Sequence, residues 1–235
     1  MTTSSALDSF LDKWRTRWPE WSVAEPFVPE HQRNLVVAWF SLLQEFDDIL
    51  NTAGDPLPAD AKLAWWGEEL RSWAGQRSRH PLGRLLEPVR APWAELAQTL
   101  PDLVEARAVP VDVAQAQKAL MAYAAAVAAV EAVMFDTPAR GDVATPVLLQ
   151  TLGQRLQEAG VAAVPRSLLA QDDGNAPQRY AAQLLQPWPA RVAGPRPRRM
   201  YASLARTRLQ AFAEGRAPQV TPLRTLLRTW WAGRG

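Results

Sequence analysis

Cysteine is absent from this 235-residue chain. Its absence excludes a disulfide framework, a zinc–thiolate site and a thiol nucleophile, and it is compatible with a reducing cytosol. The sequence also lacks a run of about eighteen apolar residues, and no basic segment followed by an apolar run opens it. We therefore expect a cytoplasmic protein with no membrane span and no signal peptide.

Strand-like alternation, internal repeats and glycine-rich phosphate-binding loops are missing as well. What is present is a 48% hydrophobic composition, which is that of a globular protein. At this length the chain can bury a substantial core. Periodic apolar segments bounded by proline and glycine predict an all-α protein, with one multi-helix domain over residues 1–235 and a Pro/Arg-rich connector at 186–198.

The charge is small in total but unevenly placed. The net charge is +2, yet residues 191–235 hold ten arginines against the single acid Glu214, a net +9, so the rest carries about −7. Three interpretations remain open: solvated helix faces, an anionic membrane surface beside Trp188, Trp230 and Trp231, or nucleic acid. The arginines lie on separate proline-broken pieces without a nucleic-acid-binding motif, so we expect no nucleic-acid partner.

Local signals place the helices. Ser5 and Asp8 have the spacing of a capping box, Asp60 is a candidate cap, and Gly160 is a candidate helix end. The predicted helices span 5–18, 29–50, 60–75, 111–135, 145–159, 178–185, 198–214 and 222–233.

Two adjacent carboxylates, Asp47 and Asp48, lie near the end of an apolar helix and precede a short Gly/Pro turn. Successive helical residues point about 100° apart, so one carboxylate is expected to face inward. They are either solvated residues at a helix end or ligands for a metal ion. The next helix carries a stripe of Leu63, Trp66, Leu70 and Trp73, which indicates core packing or an aromatic wall.

The segments DDILN (47–51) and KLAWWGEEL (62–70) resemble the squalene/phytoene synthase family. The resemblance covers roughly residues 29–211 and implies an all-helical bundle of the isoprenoid synthase type. Members of that family join two prenyl diphosphates head to head, using Mg²⁺ held by two aspartate-rich motifs. Here Asn51 stands where the last aspartate of the first motif is expected.

The resemblance extends to two later helices. Tyr123, Val127, Ala128 and Val130 are similar to a helix that lines the prenyl cavity, with Glu131 where glycine is usual. The segment LLQTLGQRLQEAG keeps Gln150 and Arg155 but holds one carboxylate, Glu158, so the second acidic motif is missing. The resemblance implies that several of these positions bind the substrate and that two of them also bind a metal ion. The substrate-binding residues are Asp47, Asp48, Asn51, Tyr123, Gln150 and Arg155, and the metal ligands are Asp47 and Asp48.

These features predict a family member with degraded catalytic apparatus, acting as a prenyl-lipid-binding, accessory or assembly factor. Relatives without intact motifs, such as the mitochondrial complex I assembly proteins, are a precedent by analogy. The alternative is an active prenyltransferase condensing farnesyl or geranylgeranyl diphosphate with Mg²⁺. Glu158, Asp172 or Asp173 close to Asp47 would favour the enzyme, and a centre filled by side chains would favour an interaction module. The expected partners are a prenyl lipid or diphosphate and the inner face of an anionic membrane, besides an unspecified protein.

Overall fold

The computed structural model describes residues 5–138, 141–171, 174–217 and 221–234, and every regular element in these ranges is a helix. The all-α prediction is confirmed. Three short 3₁₀ turns, at Glu25–Phe27, Glu30–Gln32 and Gly160–Ala163, join the α-helices. The α-helices are α1 (Ala6–Arg17), α2 (Trp21–Ala24), α3 (Arg33–Leu50), α4 (Leu57–Ala74), α5 (Gly83–Leu86), α6 (Trp93–Thr99), α7 (Pro101–Glu105), α8 (Val113–Met134), α9 (Ala144–Ala159), α10 (Arg166–Leu169), α11 (Ala176–Leu185), α12 (Arg196–Ala213) and α13 (Pro222–Arg234).

The helix ends follow local chemistry. Ser5 and Asp8 form the predicted capping box, and the carboxylate of Asp112 accepts the amide of Gln115 at the start of α8. Gly160 ends α9 with φ at 56°, a left-handed conformation that suits glycine. The prediction for Asp60 was wrong. Proline in the first turn lets α4 begin at Leu57, so Asp60 lies inside that turn.

Helix α3 is the central element. From Val36 to Leu50 all but one of its residues are buried, because neighbouring helices cover every face of an apolar sequence. Helices α1, α4, α7 and α9 contact it. Its last turn therefore brings Asp47 and Asp48 to a point where several helices meet.

The Trp-rich helix α4 packs as a core element. Its predicted stripe is buried, and the Trp66 and Trp73 rings meet edge to face, with centroids 6.2 Å apart. Trp65 is partly exposed. Glu69 of α4 also lies in this core. It is fully buried, where its carboxylate accepts the backbone amides of Arg79 and His80 at 2.6 and 2.8 Å.

Helix α8 is long and apolar enough to cross a membrane, whereas we expected no such segment from the sequence. However, 44% of its most apolar window is buried inside the protein. The core helix of a folded domain passes the same test of length and composition. Helices α6, α7 and α9 pack against α8. Within α8, Glu131 forms an ion pair with Arg198 of α12 in the protein interior. These contacts identify α8 as a core helix of the bundle.

The C-terminal arginines do not all lie on solvated faces. Arg198 is buried, and Arg208 binds Glu20 with its guanidinium lying over the Trp18 ring. The Nε atoms of Arg196 and Arg199 donate to the carbonyl oxygens of Gly233 and Ala232 at 2.9 and 2.8 Å. Cations are favoured at these unpaired carbonyls of a helix C-terminus, so the two side chains fix α13 on α12.

Candidate functional site at the acidic helix ends

The two adjacent carboxylates at the end of α3 point in different directions, as helix geometry predicts. Asp47 is buried, and Asp48 is half-buried. The Asp48 carboxylate accepts hydrogen bonds from Lys13 Nζ at 3.1 Å and from Gln44 Nε2 at 2.9 Å. Asp48 is therefore held by side chains of α1 and α3.

The guanidinium of Arg17 links this end of α3 to the end of α9. Arg17, at the end of α1, forms an ion pair with Glu158, and its Nη2 lies 3.9 Å from Asp48 Oδ1. The structure thus brings Glu158 to the end of α3 that carries Asp48, with Arg17 between the two carboxylates. Arg17, however, neutralises the same carboxylates that would hold a metal ion.

Asn51 and Arg155 secure the backbone where α3 ends. The side-chain amide of Asn51 donates to the carbonyl oxygen of Asp47 at 2.9 Å. Arg155 donates to the carbonyl oxygens of Leu50 and Arg107 at 3.1 and 2.7 Å. Burial, and then the nearby Arg107, lower the pKa of Arg155. Two residues predicted to bind substrate thus satisfy backbone carbonyls in this structure.

Asp47 occupies an unfavourable electrostatic position. Burial raises the pKa of its carboxyl well above the usual range; Glu158 and Asp48 raise this pKa further, while Arg17 and Arg198 lower it. Burial, and then Asp47, raise the pKa of the Tyr123 hydroxyl. Among the described residues, no side chain donates a hydrogen bond to the Asp47 carboxyl. Asp47 and Tyr123 are therefore both buried, and burial raises the pKa of each.

The donor set does not suit the magnesium cluster that the resemblance implies. Mg²⁺ around a diphosphate needs carboxylate oxygens from both helix ends. In the described part of the chain, no group of three or more His, Cys, Asp or Glu side chains is arranged to hold a metal ion. The Asp48 and Glu158 oxygens are bound to Lys13 and Arg17 instead. Asp172 and Asp173, the other candidates for a second acidic end, lie outside the described residues.

A buried polar network fills the space between α3, α8, α9 and α12. The Nε atom of Arg198 lies 3.0 Å from each carboxylate oxygen of Glu131, and Trp39 Nε1 donates to the same carboxylate at 2.7 Å. Arg198 Nη1 also donates to Gln150 Oε1 at 2.8 Å. Gln150, predicted to bind substrate, is thereby committed to the network.

Aromatic rings pack around this network. The Arg198 guanidinium lies 5.3 Å from the centre of the Phe40 ring and 5.6 Å from that of Tyr201. Trp14 and Trp18 meet Tyr201 edge to face at 5.6 and 4.7 Å. Side chains from α1, α3 and α12 thus occupy the middle of the bundle.

One cavity adjoins the acidic end through Arg155. Its volume is about 170 Å³, and Leu120, Leu152 and Tyr180 are among its lining residues. The Tyr180 hydroxyl is buried there without a hydrogen-bond partner among the residues that the structure describes. Typical small-molecule pockets occupy about 300–1,000 Å³, so this cavity is small for a prenyl chain.

The family model for squalene/phytoene synthase matches residues 20–137, half of the chain. The chain belongs to the squalene/phytoene synthase family. No curated protein and no solved structure matches it. The matched region of this family member contains α3, α4 and α8, so the first acidic end and the Trp-rich helix are within it. It starts before residue 29, where we expected the resemblance to begin, and the similarity predicted for residues 138–211 stays a prediction.

The structure of this squalene/phytoene synthase family member gathers some predicted residues and adds others. Asp47, Asp48, Asn51 and Arg155 lie at one end of α3, whereas Gln150 joins the central network. Sequence reasoning did not assign roles to four ionic residues, Lys13, Arg17, Glu131 and Arg198. The spacing of Lys13 and Arg17 was a usable signal, since residues four apart share one helix face.

Proposed function

We propose that this protein is a non-catalytic member of the family that acts as an accessory or assembly factor. The observation that carries the proposal is the position of Arg17 between Asp48 and Glu158. Ionising a prenyl diphosphate requires divalent cations that bridge carboxylates to phosphate oxygens. A guanidinium that binds both carboxylates competes directly with those cations. Family membership and the unpartnered Asp47 carboxyl support the alternative, an active prenyltransferase.

The filled centre of the bundle also supports an accessory role. A prenyl chain in the middle of the bundle would have to displace the buried Glu131–Arg198 pair and the rings around it. Separating a buried ion pair costs about 3–5 kcal/mol, and this cost would reduce the affinity for the chain. We therefore place any lipid contact outside the centre, and we propose that the protein acts in the cytoplasm or at the inner face of a membrane.

A turnover assay tests the proposal against the enzyme alternative. Purified protein is incubated with labelled farnesyl or geranylgeranyl diphosphate and Mg²⁺, and the products are extracted. We expect no squalene, phytoene or cyclopropyl intermediate above the blank. Product formation at an ordinary enzymatic rate, on the order of 1 s⁻¹, would establish the enzyme, provided that an Asp47→Asn/Asp48→Asn variant abolishes it.

Magnesium-dependent stability tests the role assigned to Arg17. We expect millimolar Mg²⁺ to leave the melting temperature of the natural protein unchanged and to raise that of Arg17→Ala, because ligand binding to the folded state stabilises it. Arg15→Ala is the matched control, since Arg15 lies on the same helix but binds Glu25. A saturable Mg²⁺ effect on the natural protein, or none on Arg17→Ala, contradicts the assignment.

A further inference from the structure

A groove of about 500 Å³ lies along α12 and α13 on the arginine-rich part of the surface. Residues 188–192 form its third wall. The groove lies on different helices from Asp47 and Glu158, so an inference about it does not depend on the proposed function. Its volume is within the range of small-molecule sites, about 300–1,000 Å³.

The polar lining of this groove is cationic. Arg191, Arg199, Arg206, Arg228 and Arg234 line it, and no acidic residue is among its lining residues. Neither Arg191 nor Arg206 forms an ion pair with a described residue. Like charges this close repel one another, so an anion that enters the groove relieves the repulsion.

Two buried donors beside the groove lack acceptors. Trp188 Nε1 and Arg206 Nε are both buried without a hydrogen-bond partner among the described residues. Trp188 is buried in the protein, so its ring is not free to contact a membrane surface. A buried donor without an acceptor is destabilising, so a ligand rich in acceptor oxygens is favoured here.

Helix α13 presents an apolar ridge next to the groove. Leu223, Leu227 and Trp231 lie four residues apart, and 69%, 50% and 67% of their surfaces are exposed. Leu227 and Trp231 also line the groove. Because Arg196 and Arg199 hold the end of α13, the ridge and the groove keep a fixed relation.

We propose that the groove binds the phosphate headgroup of an anionic phospholipid while the ridge of α13 enters the membrane interface. A phosphate diester supplies both the negative charge and the acceptor oxygens that the groove lacks. Basic residues beside exposed leucine and tryptophan are the composition of helices that lie in a membrane interface. A soluble phosphate compound would satisfy the arginines but leave the ridge in water.

Vesicle co-sedimentation of the full chain tests this site. The vesicles are phosphatidylcholine alone or mixed with phosphatidylglycerol, at low and high salt. We expect salt-sensitive binding to the anionic vesicles only, and about a 30-fold weaker partition for Arg191→Gln/Arg206→Gln. The control Arg84→Gln/Arg90→Gln removes the same charge from exposed positions elsewhere and should lose much less.

A second pair of variants tests the apolar ridge. Leu223→Ser should weaken binding, whereas Leu57→Ser, an exposed leucine in the first turn of α4, should not. Circular dichroism confirms that each variant is folded. Equal binding to neutral and anionic vesicles, or equal losses in the groove and control variants, overturns the proposal. Saturable binding of pyrophosphate without vesicle binding overturns it too and assigns the groove to a soluble phosphate ligand.

Discussion

The guanidinium of Arg198 meets the carboxylate of Glu131 at the centre of the bundle, although the two residues lie 67 positions apart in the sequence. At position 131 the resemblance implied a glycine, and here a long acidic side chain and its arginine partner pack between α8 and α12. The same pair links α8 to α12 and, through Trp39 and Gln150, to α3 and α9.

We expect Glu131→Gln to lower the free energy of unfolding by about 3–5 kcal/mol, because Arg198 would keep a buried charge without a counterion. The measurement is urea unfolding followed by circular dichroism. The double variant Glu131→Leu/Arg198→Leu removes both charges and should be more stable than the single variant. If the double variant instead loses the sum of what Glu131→Leu and Arg198→Leu lose singly, the pair is not coupled.

The carboxyl of Asp47 should make stability fall as pH rises. Folding raises the pKa of this carboxyl. The folded state therefore holds its proton at pH values where the unfolded chain, with a pKa near 3.9, has lost it. The contribution of Asp47 to stability is greatest below about pH 4, and it declines as the pH rises towards the pKa of the folded state. Other carboxylates superimpose their own dependence, so variants must be compared.

Asp47→Asn removes this ionisation. We expect it to raise the free energy of unfolding at pH 7 relative to the natural protein, and the gain to shrink towards pH 4. Urea unfolding at several pH values measures it. Asp48→Asn is the matched control, since that carboxylate is bound to Lys13 and its loss should not stabilise. A loss of stability at pH 7 in Asp47→Asn would show that the charged carboxylate is favoured.

Arg155 should be required for stability whether or not a substrate exists. It donates to the carbonyls of Leu50 and Arg107, and such bonds from a charged group contribute about 1.5–3 kcal/mol each. We expect Arg155→Met to lower the free energy of unfolding by about 3 kcal/mol. The control Arg90→Met, at an exposed position, should change it by less than about 0.5 kcal/mol. If Arg155→Met and Arg90→Met change the free energy of unfolding by equally small amounts, Arg155 has no structural role.

The sequence by itself determined the helices and the family. The Ser5–Asp8 capping box and the end of α9 at Gly160 depend on residues a few positions apart, so local patterns predicted them. Helical periodicity also determined that only one of Asp47 and Asp48 faces inward. The error at Asp60 arose because proline competes with an acidic cap for the start of a helix.

Only the tertiary structure decided what the charged residues do. Arg17 and Glu158 are 141 positions apart, and nothing local to either residue indicates the other. Their pairing depends on which helix ends the packing of apolar faces brings together. The C-terminal arginines have different environments for the same reason. Arg198 faces the core beside Glu131, whereas Arg191 and Arg206 face a groove that has no acidic residue among its lining residues. Charge alone fixes neither outcome, because the stabilisation of a charge depends on the groups that surround it after folding.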